Sequence, residues 1–178
     1  AELLARGPRV SDEDRLAAVN DIARESDRMS RITEALLTLA RADAGQELPT
    51  EVIQLQSMVE DVCRQARRLD DQHPIETPEL ANVEIRGNDD ALRELVWILL
   101  DNAARHTPQG CRIRVGVLAA QGHALLVVTD DGPGIPRSDL DRIFERFYQV
   151  DRSRSGRGSG LGLAIASWIV SQHQGQIW

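Results

Sequence analysis

Asp130 and Asp131 end a β-branched run and are followed at once by Gly-Pro-Gly-Ile-Pro, giving VVTDDGPGIP over residues 127–136. Glycine-rich turns after strands often cradle phosphate, because bare backbone N–H groups can approach an anion closely. Two carboxylates have the wrong sign for that role. A carboxylate accepts hydrogen bonds and donates none, so a functional aspartate here needs a donor-rich ligand, such as an adenine amino group, or a cation. The plainer alternative is ordinary turn chemistry, with Pro and Gly meeting special backbone angles.

Three further segments could take part. GRGSGLGLAIASWIV sets Gly156, Gly158, Gly160 and Gly162 directly ahead of an apolar helix. Exposed N–H groups at such a helix start form a site for a di- or triphosphate, although a flexible loop feeding a helix would read the same way. The spacing is not G-x-G-x-x-G and no clear strand precedes it, which speaks against a Rossmann unit. In LLDNAARHT, Asn102, Arg105 and His106 stand at i, i+3 and i+4 and share one helix face. An Asn amide oxygen can complete the oxygen shell of a phosphate-bound Mg²⁺, and Arg105 and His106 could meet phosphate oxygens. A polar helix end with basic residues at the negative dipole explains them without a ligand. In IFERFYQV, a short helix over about 140–148 would put Phe144, Phe147 and Tyr148 on one side, where packing explains them and anchors the stretch that follows.

Composition narrows the partners. The formal charge of −7 argues against nucleic acid. All 21 basic residues are Arg, so the chain holds no P-loop Lys, no strand Lys of the eukaryotic-type protein kinases and no Schiff-base Lys. Cys63 and Cys111 stand in no metal or disulfide spacing, which suits a reducing, cytoplasmic setting. Apolar runs such as LVWILL are too short to cross a bilayer, so no membrane contact is expected from these residues.

The elements that must position these groups follow from periodicity. Ser11 with Asp-Glu-Asp forms an N-cap and acidic first turn. Val19, Ile22, Met29, Ile32, Leu36, Leu37 and Leu39 then recur every three or four residues, predicting one helix over about 12–44. Its stripe needs a partner helix from this chain or a second copy. The polar linker GQELPT marks a domain boundary. Beyond it the pattern predicts helices over about 57–69, 90–106 and 160–173, and strands near 83–86, 112–118 and 124–129. Helices alternating with antiparallel strands imply an α+β chain, a two-layer α/β sandwich with helices on one face of a sheet.

Taken together and in this order, an Asn helix, Asp-x-Gly-x-Gly, Ile-Phe-Glu-Arg-Phe-Tyr and Gly-x-Gly-Leu-Gly-Leu resemble the N box, first glycine box, F box and second glycine box of bacterial sensor histidine kinases. The resemblance runs from about residue 83 to the end of the chain and implies a Bergerat-type ATP-binding sandwich of the GHKL superfamily. The helix ending LLTLARADAG is similar to the second helix of the dimerisation and histidine-phosphotransfer hairpin. The implied division is residues 1–45 for part of that hairpin and 50–178 for the ATP-binding domain.

By the same resemblance Asp130 accepts from the adenine amino group, with Gly132 and Gly134 beside the base. Asn102 becomes the Mg²⁺ ligand, with Arg105 and His106 near the phosphates. Phe144 belongs to the nucleotide site. The stretch between the F box and Gly158 is the lid, from which Arg152, Arg154 or Arg157 could reach the γ-phosphate. Gly158, Gly160, Leu161, Gly162 and Leu163 carry the triphosphate. The implied reaction, with Asn102, Arg105 and Arg154 as catalytic groups, moves the ATP γ-phosphoryl group to a histidine and then to an aspartate of a response regulator. The parent protein would be a homodimer through the hairpin, and a membrane anchor elsewhere in it would be compatible with a cytoplasmic location for these residues.

The sequence also departs from the family. No His-Glu-Leu-Arg-Thr-Pro type of box is present, and AELLARG reads as the end of the first hairpin helix, so the acceptor histidine is expected upstream. Ile98 stands where a second Asn is common. The chain stops at GQIW, where a closing strand is expected to continue the sheet. A nucleotide-gated binding module without phosphotransfer is the alternative reading.

Overall fold

The structure, a computed structural model, describes residues 12–45, 48–150 and 159–178. A 32-residue helix, α1 (Asp12–Asp43), precedes an α+β unit. In chain order this unit contains β1 (Glu51–Gln54), α2 (Leu55–Leu69), β2 (Ile75–Glu76), β3 (Glu84–Gly87), α3 (Asp89–His106), β4 (Ile113–Ala120), β5 (His123–Asp130) and α4 (Gly162–Gln172).

β4 is the spine. Its sequence IRVGVLAA alternates, and Ile113, Val115 and Val117 are fully buried while the residues between them are not. Period-two alternation sends those three side chains to one face, where α2, α3 and α4 cover them. Met58, Val59, Val62 and Cys63 come from α2, Leu92, Leu95, Val96 and Leu100 from α3, and Ile165, Ala166 and Ile169 from α4. Complete burial of each aliphatic side chain contributes about 1.5–3 kcal/mol.

β5 pairs antiparallel with β4 from Ala120↔His123 to Ile113↔Asp130. The hairpin turns at Gln121 and Gly122, with φ of 50° and 81°. Positive φ at both central residues is the I′ geometry whose twist suits a two-residue hairpin. β2 lies parallel on the other side of β4, so this sheet is mixed rather than purely antiparallel, while β1 and β3 form a separate antiparallel pair. β1 and β2 are additions to the elements read from sequence.

Only part of α1's stripe meets the α+β unit. Leu39 is buried and Ile32 and Ala35 pack beside it against the core, toward α4. Leu16, Val19, Ile22, Met29, Leu36 and Leu37 remain exposed.

One expected element is absent. Residues 137–147 form successive turns, not a helix: the Arg142 and Glu145 amides donate three residues back, to Asp139 and Arg142. Phe147 sits at φ 63°, in the left-handed region that a helix excludes. The three aromatics therefore do not share one side. Tyr148 donates to Asp139 Oδ1 at 2.6 Å under the Arg142 guanidinium, Phe147 is exposed, and Phe144 lines a groove with Leu39, Trp168 and Ser171.

Candidate nucleotide site

α3 acts as the ruler of the site. It starts at Asn88, whose side chain accepts from the Ala91 N–H at 2.9 Å and so caps the helix, with Asp89 and Asp90 in the first turn. The same Asn88 is fixed from outside, since its backbone N–H donates to His173 Nε2 at 2.9 Å. At 3.6 residues per turn, Ile98, Asn102 and His106 stand one above another, spanning roughly 12 Å along the axis.

Each end of that ridge meets one glycine-bearing segment. At the upstream end, a Cβ on Gly162 would stand 3.4 Å from Ile98 Cγ2, so the first turn of α4 packs directly on α3. At the downstream end, a Cβ on Gly132 would stand 3.3 Å from the His106 carbonyl and 3.1 Å from Thr107 Oγ1. The turn after β5 therefore abuts the last residues of α3. Asn102 lies between the two contacts and is half-buried.

The acidic end is built by β5. Asp130 is its last residue, exposed, with Oδ1 accepting from the Gly132 N–H at 2.8 Å. Among the described residues no ion pair involves Asp130, so its carboxylate can accept from a ligand. A Cβ at Gly132 would fall 2.6 Å from Asp130 Oδ1, so any larger residue would push this carboxylate out of its present position. Asp131 is exposed but engaged: Arg114 Nη1 donates to its Oδ1 at 3.1 Å. Gly134 lies exposed in the same turn.

The opposite end is built by α4. Leu161 is its N-cap and contributes no side-chain cap, so first-turn N–H groups are left for an outside acceptor. Gly160 holds φ 69°, and its carbonyl accepts from the Phe147 N–H at 2.8 Å. This bond ties the glycine segment to the turns after β5. Leu161 is fully buried and Leu163 half-buried, which roots the segment in the core.

The remaining groups are placed as follows. Arg105 is half-buried, and its Nε donates to Asp101 at 2.6 Å, so it is held by a helix neighbour; His106 is exposed. Phe144 faces the groove toward α1. Arg152, Arg154, Arg157, Gly156 and Gly158 lie outside the described residues. No group of three or more His, Cys, Asp or Glu side chains converges as a metal cage among the described residues. Thr107, which sequence reasoning passed over, is 7 % exposed, and its hydroxyl has no hydrogen-bond partner among the described residues.

The arrangement offers an acceptor at one end, a helix start without a side-chain cap among the described residues at the other, and an amide oxygen between. The chain as a whole is similar to known proteins. Residues 87–178 match the family described as histidine kinase-, DNA gyrase B-, and HSP90-like ATPase. The chain is 34 % identical over 171 residues to the signal transduction histidine-protein kinase/phosphatase MprB of Mycolicibacterium vanbaalenii, covering 96 % of this chain and 35 % of that protein. It is 36 % identical over 164 residues to the probable sensor histidine kinase TcrY of Mycobacterium tuberculosis, covering 90 % and 34 %. The chain thus spans about a third of the length of the curated relatives it matches. Among solved structures, a mycobacterial sensor histidine kinase MprB superposes with a TM-score of 0.64 at 33 % identity, covering 71 % of this chain and 81 % of the other.

Proposed function

This chain belongs to the histidine kinase-, DNA gyrase B-, and HSP90-like ATPase family, and from that premise we propose that it is the ATP-binding catalytic part of a sensor histidine kinase. The observation that carries the reading is the α3 ridge, which joins the Asp130 turn to the uncapped start of α4 across Asn102. Asp130 accepts from the adenine amino group, with Gly132 and Gly134 beside the base. The first-turn N–H groups of α4, with Gly160, Leu161, Gly162 and Leu163, take the phosphates. Asn102 holds Mg²⁺, which when bound offsets phosphate charge; Arg105 and His106 border the phosphates. Gly158 and one of Arg152, Arg154 and Arg157 complete this end.

The reaction is phosphoryl transfer. A histidine ring nitrogen attacks the γ-phosphorus, the N–P bond forms, the bond to the β,γ-bridging oxygen breaks, and ADP leaves. This chain's residues contribute positioning and charge stabilisation. Its own histidines are poor acceptors: His73 is buried between Asp70 and Thr107, His173 is engaged with Asn88 and Ile169, His123 sits on the β4–β5 hairpin, and His106 borders the nucleotide. The acceptor histidine is then supplied from outside these residues. A response-regulator aspartate receives the phosphoryl group next. Residues 1–45 serve as part of a dimerisation hairpin, with the exposed stripe of α1 meeting a second copy, and 50–178 form the catalytic domain, working in the cytoplasm.

The test uses labelled Mg-ATP and a hairpin polypeptide from a related kinase that carries the acceptor histidine. Label should appear on that polypeptide only when this chain is present. Saturable ATP binding without any transfer would favour a nucleotide-gated binding module instead.

A further inference from the structure

We propose that His173 is a positioning residue for phosphate binding, pinning the far end of α4 to the start of α3 so that the first turn of α4 stays in register with Asn102. The proposal rests on the assignment of the phosphates to the start of α4. Both ring nitrogens of His173 are used. Nε2 accepts from the Asn88 N–H at 2.9 Å, and Nδ1 lies 2.7 Å from the Ile169 carbonyl, to which it donates, since a carbonyl only accepts. One tautomer, with its hydrogen on Nδ1, satisfies both bonds.

The ring has a place made for it. A Cβ on Gly87, the last residue of β3, would stand 2.6 Å from His173 Cδ2 and 2.8 Å from Nε2, so the imidazole rests on buried backbone that a side chain would block. The end of α4 closes without this side chain, because the Gln174 N–H donates to the Ser171 carbonyl and the Gly175 N–H to that of Val170. The bond to Asn88 is thus a tie between elements. Asn88 is itself fixed at a junction, its side chain accepting from the Ala91 N–H and donating to the Pro49 carbonyl ahead of β1.

The consequence lies at the other end of α4. That helix begins against Ile98, which a Cβ on Gly162 would meet at 3.4 Å, and ends at Asn88, so α3 and α4 run antiparallel and are joined at both ends. The 11 residues of α4 and the stretch from Asn88 to Ile98 each span roughly 15 to 16 Å, so the two contacts agree in length. Apolar packing between the helices is non-directional and fixes a slide along the axis less sharply than a hydrogen bond does. Asn102 stands one turn beyond Ile98, so this slide sets where the first-turn N–H groups of α4 lie relative to the amide oxygen. Those N–H groups make charge-assisted bonds to phosphate, whose strength depends on that alignment.

The experiment measures affinity for Mg-ATP and for adenosine by calorimetry, on the whole chain as parent, His173→Gln and His173→Asn, at a temperature where thermal melts show all three folded. A Gln side chain reaches as far as Nε2 and can still accept from Asn88, whereas Asn reaches only as far as Nδ1 and keeps just the bond to Ile169. His173→Asn should lose about tenfold in ATP affinity with adenosine affinity held within about twofold, and His173→Gln should stay within about threefold of the parent for both. Unchanged ATP affinity in His173→Asn, or an equal loss in both variants, would overturn the role of the Asn88 bond. A parallel fall in ATP and adenosine affinity would make His173 structural and overturn it too. A parent chain that binds ATP no more tightly than adenosine would remove the phosphate assignment, and this inference with it.

Discussion

Arg146 and Asp43, 103 residues apart, form a two-point ion pair: Nη1 donates to Oδ2 at 2.9 Å and Nη2 to Oδ1 at 2.6 Å. The hydrogen bonds from Arg146 hold the Asp43 carboxyl below its ordinary range. The pair ties the last turn of α1 to the turns after β5, and Leu39, one turn earlier, is buried beside it. Because both partners are exposed, the pair fixes geometry more than it stabilises the fold.

Asp43→Asn should therefore speed hydrogen exchange in residues 36–45 and leave the thermal midpoint and ATP affinity nearly unchanged. Raising the salt concentration should reproduce the faster exchange in the parent chain, since exposed charges are screened. Equal exchange rates in parent and variant would remove this role.

Gly160 and Gly162 should respond differently to alanine. At Gly160, φ is 69° and a Cβ would stand 2.7 Å from the Phe147 carbonyl carbon. Left-handed backbone costs a non-glycine residue about 1 kcal/mol, and the backbone clash adds to it. A Cβ at Gly162 meets only an ordinary contact at 3.4 Å. Urea unfolding should show Gly160→Ala losing about 2 kcal/mol or more and Gly162→Ala changing by less than about 0.5 kcal/mol.

Acid stability should depend on Asp70. Burial pushes its carboxyl upward, but the hydrogen bonds from His73 at 2.7 Å and the Gln72 N–H at 2.8 Å outweigh this, leaving it below its ordinary 3.8. A depressed folded value means that the contribution is present above pH 3.8 and is lost as pH falls through the folded value. The difference in thermal midpoint between the parent and Asp70→Asn should be constant above about pH 5 and should shrink below 3.8. A difference that grows on acidification would contradict this.

Much of the fold was legible because long periodic segments declare themselves. α1, α3, β4 and β5 match their sequence patterns closely, since each repeats its apolar period several times. β2 has two residues, too few to show alternation, and β1 has four, of which only Ile53 is buried, directly ahead of a helix. The stretch 140–148 misled because Phe144, Phe147 and Tyr148 have helical spacing, while Phe147 adopts a left-handed conformation that a helix excludes. Asp130, Asn102 and the glycines could be read as types suited to a ligand. The partner of Asp131 depends on strand register, which puts Arg114 opposite Thr129. The burial of the Thr107 hydroxyl was illegible for another reason: only tertiary packing brings it beside Gly132.

The central claim is that Asp130 reads adenine, and Asp130→Asn tests it with little disturbance. The amide oxygen can still accept from the Gly132 N–H, which Asp130 Oδ1 now does at 2.8 Å, so the turn should persist. The other oxygen becomes an NH₂ donor facing a donor. Calorimetry should show ATP affinity falling by about a hundredfold or more with the thermal midpoint of the free chain unchanged. Undiminished ATP affinity in the variant would contradict the account.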